Sequence, residues 1–136
     1  MGLDGANARV NRWETSVGLT YRIDAAKRLV SSTGCGEMDG DACVSFLASI
    51  AADGDFDPKF DHLCDLTGVE RVRMDVDAAE AIVTSDPFAG SSRHAVVVAS
   101  MPVFGVARML QSLSEGRYEM RIFRAMAEAR DWLGLG

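Results

Sequence analysis

The hydrophobic pattern of the chain changes sharply near residue 17. Residues 1–16 are mostly small and polar without periodicity and read as a flexible leader, Trp13 alone being bulky enough to dock on a folded body. From there Val17, Leu19, Tyr21 and Ile23 alternate with Gly18, Thr20, Arg22 and Asp24, the period of two expected of a strand with one buried face. Asp24-Ala25-Ala26-Lys27 offers a tight turn into a second strand over 28–33, which makes an opening hairpin. Gly34-Cys35-Gly36 reads as a glycine-rich turn leading to a helix. In that helix Cys43, Phe46, Leu47 and Ile50 recur at i, i+3, i+4 and i+7, with Asp39 or Asp41 as its cap and Gly54 as its stop.

An acidic loop, DGDFDP, precedes a third strand over 60–66, and the stretch LCDLTGVER then reads as a strand-to-helix turn. Asp75 caps a second helix with Val76, Ala79, Ile82 and Val83 on its inner face. The run over 95–99, AVVVA, lacks alternation, as suits a strand covered on both faces. Pro102 is accommodated in the first turn of a third helix, whose core stripe is Val103, Val106, Ala107, Leu110 and Leu113. A break over 115–117 leads to a final strand carrying Tyr118, Met120 and Ile122, and a last helix over 125–133 ends at Gly134 in a left-handed cap. The predicted order is β-β-α-β-α-β-α-β-α. It calls for an α/β domain over 17–136 with a mostly parallel sheet and an opening antiparallel hairpin.

Composition narrows the function classes. The 136 residues suffice for one core without staples, and 14 Lys and Arg against 20 Asp and Glu leave a net charge of -6. The basic residues are scattered, so a phosphate-neutralising surface is not expected and nucleic acid is a poor partner. Three cysteines, Cys35, Cys43 and Cys64, form no CxxC pair and read as reduced thiols in a cytoplasm. No apolar run is long enough to span a bilayer; the longest, 95–107, is interrupted by Pro102.

Candidate chemistry is sparse. Asp53, Asp55 and Asp57 imitate the opening of a calcium loop, but Pro58 stands at the turn glycine and Cys64 at the bidentate glutamate, so a solvated acidic loop is the better reading. His62 and Cys64, two apart on a strand, share a face, yet no spacing supplies the further ligands zinc needs, and no metal or other cofactor is expected. No nucleophile elbow, phosphate loop or dinucleotide fingerprint occurs, so no catalytic residue is assigned and no enzyme activity is expected. On the third helix Met101, Phe104 and Arg108 lie at i, i+3 and i+7, off the core stripe, the mixture that partner surfaces and flexible pocket rims contain.

The order of elements, with an Asp-x-Thr-Gly segment at Asp65, Leu66, Thr67 and Gly68, resembles the STAS fold of the anti-sigma-factor antagonists, the SpoIIAA-like superfamily. HLCDLTG, RHAVVVASMPVFGVARML and MRIFRAMAEARDWL, together with their order over 17–133, are similar to the small stand-alone bacterial STAS/SEC14-domain proteins. In the switch-type antagonists the phosphorylated hydroxyl directly follows the aspartate, whereas here that position is Leu66. Thr67 remains as the neighbouring phosphorylation candidate, against its ordinary reading as a turn or cap residue. The resemblance implies fold more than activity.

Two functional expectations follow. The first is a non-enzymatic, cytoplasmic protein-interaction or regulatory module using Asp65, Thr67, Gly68, Met101, Phe104 and Arg108, with homodimer formation through the opening strand as a further option. The alternative is a carrier or sensor of a small apolar ligand or lipid, implied by the SEC14 likeness and by the Met- and Phe-bearing third helix.

Overall fold

The computed structural model of the chain describes residues 14–16 and 18–136. Val17 and residues 1–13 of the leader, Trp13 among them, lie outside the described residues. The alternating pattern builds β2 (Leu19–Asp24), which turns through Asp24 into β3 (Leu29–Asp39). The Asp24 side chain accepts from the Lys27 amide at 3.1 Å, and Arg28 takes a left-handed φ of 54° to close the hairpin. Ahead of it β1 (Glu14–Ser16) adds a short antiparallel strand against β2, so these three residues of the expected leader pair with the sheet.

Asp39 caps α1 (Gly40–Ala52), its carboxylate accepting from the Ala42 amide at 2.8 Å. β4 (Asp61–Arg73) follows, then α2 (Val76–Ser85), capped in the same way by Asp75 through the Ala78 amide. β5 (Arg93–Val97) leads to α3 (Met101–Leu113), with Ser100 as its cap and a proline in its first turn. β6 (Glu119–Phe123) and α4 (Met126–Trp132) complete the chain. The expected α/β order holds from β2 to α4.

Six strands form one sheet in sequence order, β1 to β6, antiparallel across β1, β2 and β3 and parallel from β3 to β6. Successive crossovers of one hand between adjacent parallel strands carry their helices to the same face. Accordingly α1 packs on α2 and α2 on α3, while α4, which follows the last strand, covers the other face against β4, β5 and β6. One core lies under α1, α2 and α3 and includes Tyr21, Val30, Ile50, Val96, Val98 and Val103. The second, smaller core holds Leu29, Leu63, Ala95, Val97, Ala129 and Leu133.

The expected turns at Gly34-Cys35-Gly36 and at LCDLTGVER are corrected. β3 and β4 run through both and pair in parallel to Asp39 and Arg73. Thr33 faces Asp65 and Cys35 faces Gly68, so Leu66 and Thr67 together oppose Gly34 alone; a second irregularity follows where Gly36 faces Val69 and Glu37 faces Arg71. This is the count of a β-bulge, which re-aims side chains and strengthens local twist without ending a strand. A Cβ at Gly34 would stand 3.1 Å from Leu66 and from Val69, so the tight fit of the bulge favours glycine there. With one residue added at each irregularity, Leu66 and Val69 are buried and Val72 half-buried, at a spacing of three.

Candidate functional site

Parallel register creates the most unusual cluster in the molecule. His62 is the second residue of β4 and His94 the second of β5, and the two are register partners. Their side chains point to the larger core and meet with Nδ1 to Nδ1 at 3.1 Å. On the far side of His62, Nε2 lies 2.6 Å from Ser32 Oγ on β3. Phe88 stacks on His62 with ring centroids 4.9 Å apart, and Tyr118 lies over His94 at 4.2 Å. Asp86, the residue after α2, points its Oδ1 toward His94 Nε2 at 4.0 Å and also accepts from the Phe88 amide at 2.8 Å. Burial and the neighbouring Asp86 carboxylate hold the Tyr118 phenol well above its ordinary value.

Burial sets the charge states. Desolvation pushes His62 down to about 4, and desolvation together with the neighbouring His62 holds His94 well below its ordinary value, so both rings are neutral near pH 7. Burial raises Asp86 to about 6 against the lowering effect of the Phe88 amide and the Tyr118 hydroxyl, which leaves it mainly ionised at neutral pH. A carboxylate beside His94 Nε2 favours a proton on that nitrogen. The chain of bonds then runs from Ser32 O–H to His62 Nε2 and from His62 Nδ1–H to His94 Nδ1, leaving His94 Nε2–H aimed toward Asp86. At 4.0 Å that last pair is too far apart to bond, and His94 Nε2 is the buried side-chain polar atom without a partner among the described residues. Burial also pushes Cys43 up to about 12 and Cys64 up to about 11, so both are thiols rather than nucleophilic thiolates.

The cluster borders a cavity of about 100 Å³ between the sheet and the helices. Met38, Phe46, Leu66, Ile82, Val96, Val103, Ala107 and Met120 supply apolar walls, while Ser32, His62, Asp86, His94 and Tyr118 form one polar end. That end lies toward the amino ends of the parallel strands, because His62 and His94 are second residues and Tyr118 immediately precedes β6. Among the described residues no three His, Cys, Asp or Glu side chains converge as metal ligands.

The residues singled out from sequence lie elsewhere. Asp65 Oδ1 accepts from the Thr67 amide at 2.9 Å and from the Thr67 hydroxyl at 2.7 Å, a local clasp within the bulge beside exposed Gly68. Met101 is 65% exposed at the start of α3. Arg124, after β6, reaches Met101 Sδ and lies 5.1 Å above the Phe104 ring, with Arg108 5.8 Å from the same ring. In the acidic loop Asp53 accepts from the Asp55 amide and from the Tyr21 hydroxyl of β2, and Asp57 from the Lys59 amide.

Sequence reasoning placed His62 and Cys64 on one face but tied no partner to either histidine. The missing signal is positional: two histidines at equivalent positions of neighbouring parallel strands become side-by-side neighbours. Ser32, Asp86 and Tyr118 carried no motif. No helix among the described residues is long and apolar enough to cross a membrane.

No family model and no curated protein matches the chain. In structure it is similar to an uncharacterised protein of the DUF3478 family from Shewanella loihica PV-4, a crystal structure with a SpoIIAA-like fold, at 19% sequence identity and a TM-score of 0.49 over 89% of this chain and 90% of that one.

Proposed function

We propose that the chain is a non-enzymatic binding module whose cavity between the sheet and the helices receives a small, mostly apolar molecule, which it senses or carries. The cavity of about 100 Å³ beneath α3 is the observation that supports this reading. An engineered apolar cavity of about 150 Å³ admits benzene, so this one suits a body of about five carbons and is too small for a lipid acyl chain. Met38 and Met120 in its wall are flexible enough to adjust around a guest.

The Ser32–His62–His94 chain has the look of a nucleophile relay, but its setting argues for binding. Ser32 is 2% exposed in the middle of a strand paired on both sides, so its backbone amide is held in the sheet and is not available to an oxyanion. His62, pushed down to about 4, is a weak base at neutral pH.

Titration of the purified chain with cyclopentane, following methionine methyl resonances by NMR, tests the cavity. Met38 and Met120 are expected to shift while exposed Met101 stays in place, and Ala107→Leu, which fills the cavity from α3, is expected to abolish the shifts. Unmoved Met38 and Met120 resonances in the parent chain would overturn the reading.

A second reading, protein contact through the amino end of α3, is favoured by the exposed Met101 and the Arg108–Phe104–Arg124 stack beside it. The two readings are compatible, since α3 lines the cavity with Val103 and Ala107 and presents Met101 outward.

A further inference from the structure

We infer that the molecule bound in the cavity carries a hydroxyl group, and that His94 Nε2 and the Asp86 carboxylate hold that hydroxyl between them. The inference rests on the cavity reading above and names the chemistry of its guest.

Its first support is an unmet hydrogen bond. His94 is 3% exposed and lines the cavity, yet its Nε2 has no partner, and leaving a buried donor unmatched costs more than one bond is ordinarily worth. The second support is spacing. Nε2 and Asp86 Oδ1 are 4.0 Å apart, too far for a direct bond. An oxygen about 2.8 Å from each would complete a bridge with an angle of roughly 90° at that oxygen, within the range a hydroxyl tolerates.

The third support is polarity. The Ser32 to His62 to His94 chain ends in a donor, and Asp86 across the gap is an acceptor with lone pairs left beyond its bond from the Phe88 amide. The guest atom must therefore accept one hydrogen bond and donate another. A hydroxyl does both. A carbonyl oxygen would accept from Nε2–H but bring its remaining lone pair against the carboxylate. A guest carboxylate would be repelled by Asp86, and an ammonium has no lone pair for Nε2–H. The apolar walls leave the rest of the guest as hydrocarbon, so the class is a compact alcohol with a body of about five carbons.

An apolar cavity and this one respond with opposite sign to a hydroxyl. In a purely apolar cavity an alcohol binds more weakly than its parent hydrocarbon, because its hydroxyl leaves water for nothing. The test is titration of the full chain with cyclopentanol and with cyclopentane, read from the Met38 and Met120 methyl resonances. Two bonds formed against one stripped hydroxyl predict that cyclopentanol binds roughly tenfold more tightly. In His94→Phe the order should reverse while cyclopentane still binds. Should that variant not fold, the ¹⁵N resonance of His94 Nε2 in the parent chain serves instead: it should move with cyclopentanol and not with cyclopentane.

If neither compound binds, the cavity reading fails and takes this inference with it. If both bind and cyclopentane is equal or tighter, the cavity reading stands and the hydroxyl inference is overturned. If cyclopentanol is preferred but His94→Phe keeps the preference, or the Nε2 resonance is unmoved, the assignment to His94 and Asp86 is overturned.

Discussion

On the α4 side of the sheet Leu63, Ala95, Val97, Ala129 and Leu133 close on one another without a buried polar side chain among them. One residue along the same strands, on the α3 side, His62, Cys64, His94 and Val96 border a cavity and share their core with Ser32, Asp86 and Tyr118. The small face is finished by a clamp at its rim: Arg93 donates to the carbonyls of Trp132 and Leu133 at the end of α4, pairs with Asp61 at 3.1 Å and lies over the Trp132 ring. A cation there also meets the negative end of the helix. One short helix can seal one apolar face, whereas three helices spanning the wider face leave a gap where their side chains do not meet. The face without a buried polar cluster is closed, and the face that holds the unmet Nε2 of His94 borders the cavity.

Deleting the same atoms on the two faces gives the sharpest contrast. Leu63→Ala should cost about 3–4 kcal/mol, since it opens a void in a closed core, whereas Leu66→Ala, whose side chain already borders empty space, should cost roughly 1 kcal/mol less. Urea unfolding of both variants measures the difference, and a larger loss at Leu66 would break the comparison.

Acid should act on the open face next. His62 and His94 have folded-state pKa values below their ordinary 6.5, so the unfolded chain binds protons first as pH falls. Their contribution is full above 6.5 and is lost on the way down to about 4, on the order of 3 kcal/mol for His62 alone. Asp86 has the opposite sign: raised from 3.8 to about 6, it is protonated first in the folded chain and returns part of that stability below pH 6. Two histidines against one carboxyl leave a net loss, seen as a falling unfolding midpoint between pH 6.5 and 4. A flat midpoint would mean that the rings are not buried neutral.

The smallest effect belongs to the clamp. Arg93→Met keeps the stem over Trp132 but leaves two helix-end carbonyls and Asp61 without the guanidinium, at a cost of about 1–2 kcal/mol because the group is partly exposed. Cyclopentane binding should be unchanged in this variant; a weakened affinity would show that the two faces are coupled.

Much of the fold was legible because its signals are local. Alternation at Leu19, Tyr21 and Ile23 marks a one-sided strand, the unbroken AVVV run a strand covered on both faces, and Asp39, Asp75 and Gly134 act as caps within a few residues of the groups they satisfy. The stretch LCDLTGVER misled for the same reason. A threonine and a glycine after an aspartate satisfy a turn locally, and the two register irregularities space Leu66, Val69 and Val72 by three, which hides the period of a strand. Only pairing with β3 shows that the chain runs straight on to Arg73.

The candidate site was less legible than the fold. His62 and Cys64 could be put on one face from their spacing, but Ser32, Asp86, His94 and Tyr118 come from separate elements and meet only when β3, β4, β5 and β6 align side by side. The sequence by itself determined the class of fold, most of its element order and most of the buried faces, Val76 being expected inward on α2 but exposed at its start, because propensity, periodicity and capping act over a few residues. The tertiary structure alone decided the strand register, the cavity beneath α3 and the unmet Nε2 of His94, because these depend on distances between residues far apart in the chain, Leu19 and Met120 in the cavity wall being the extreme.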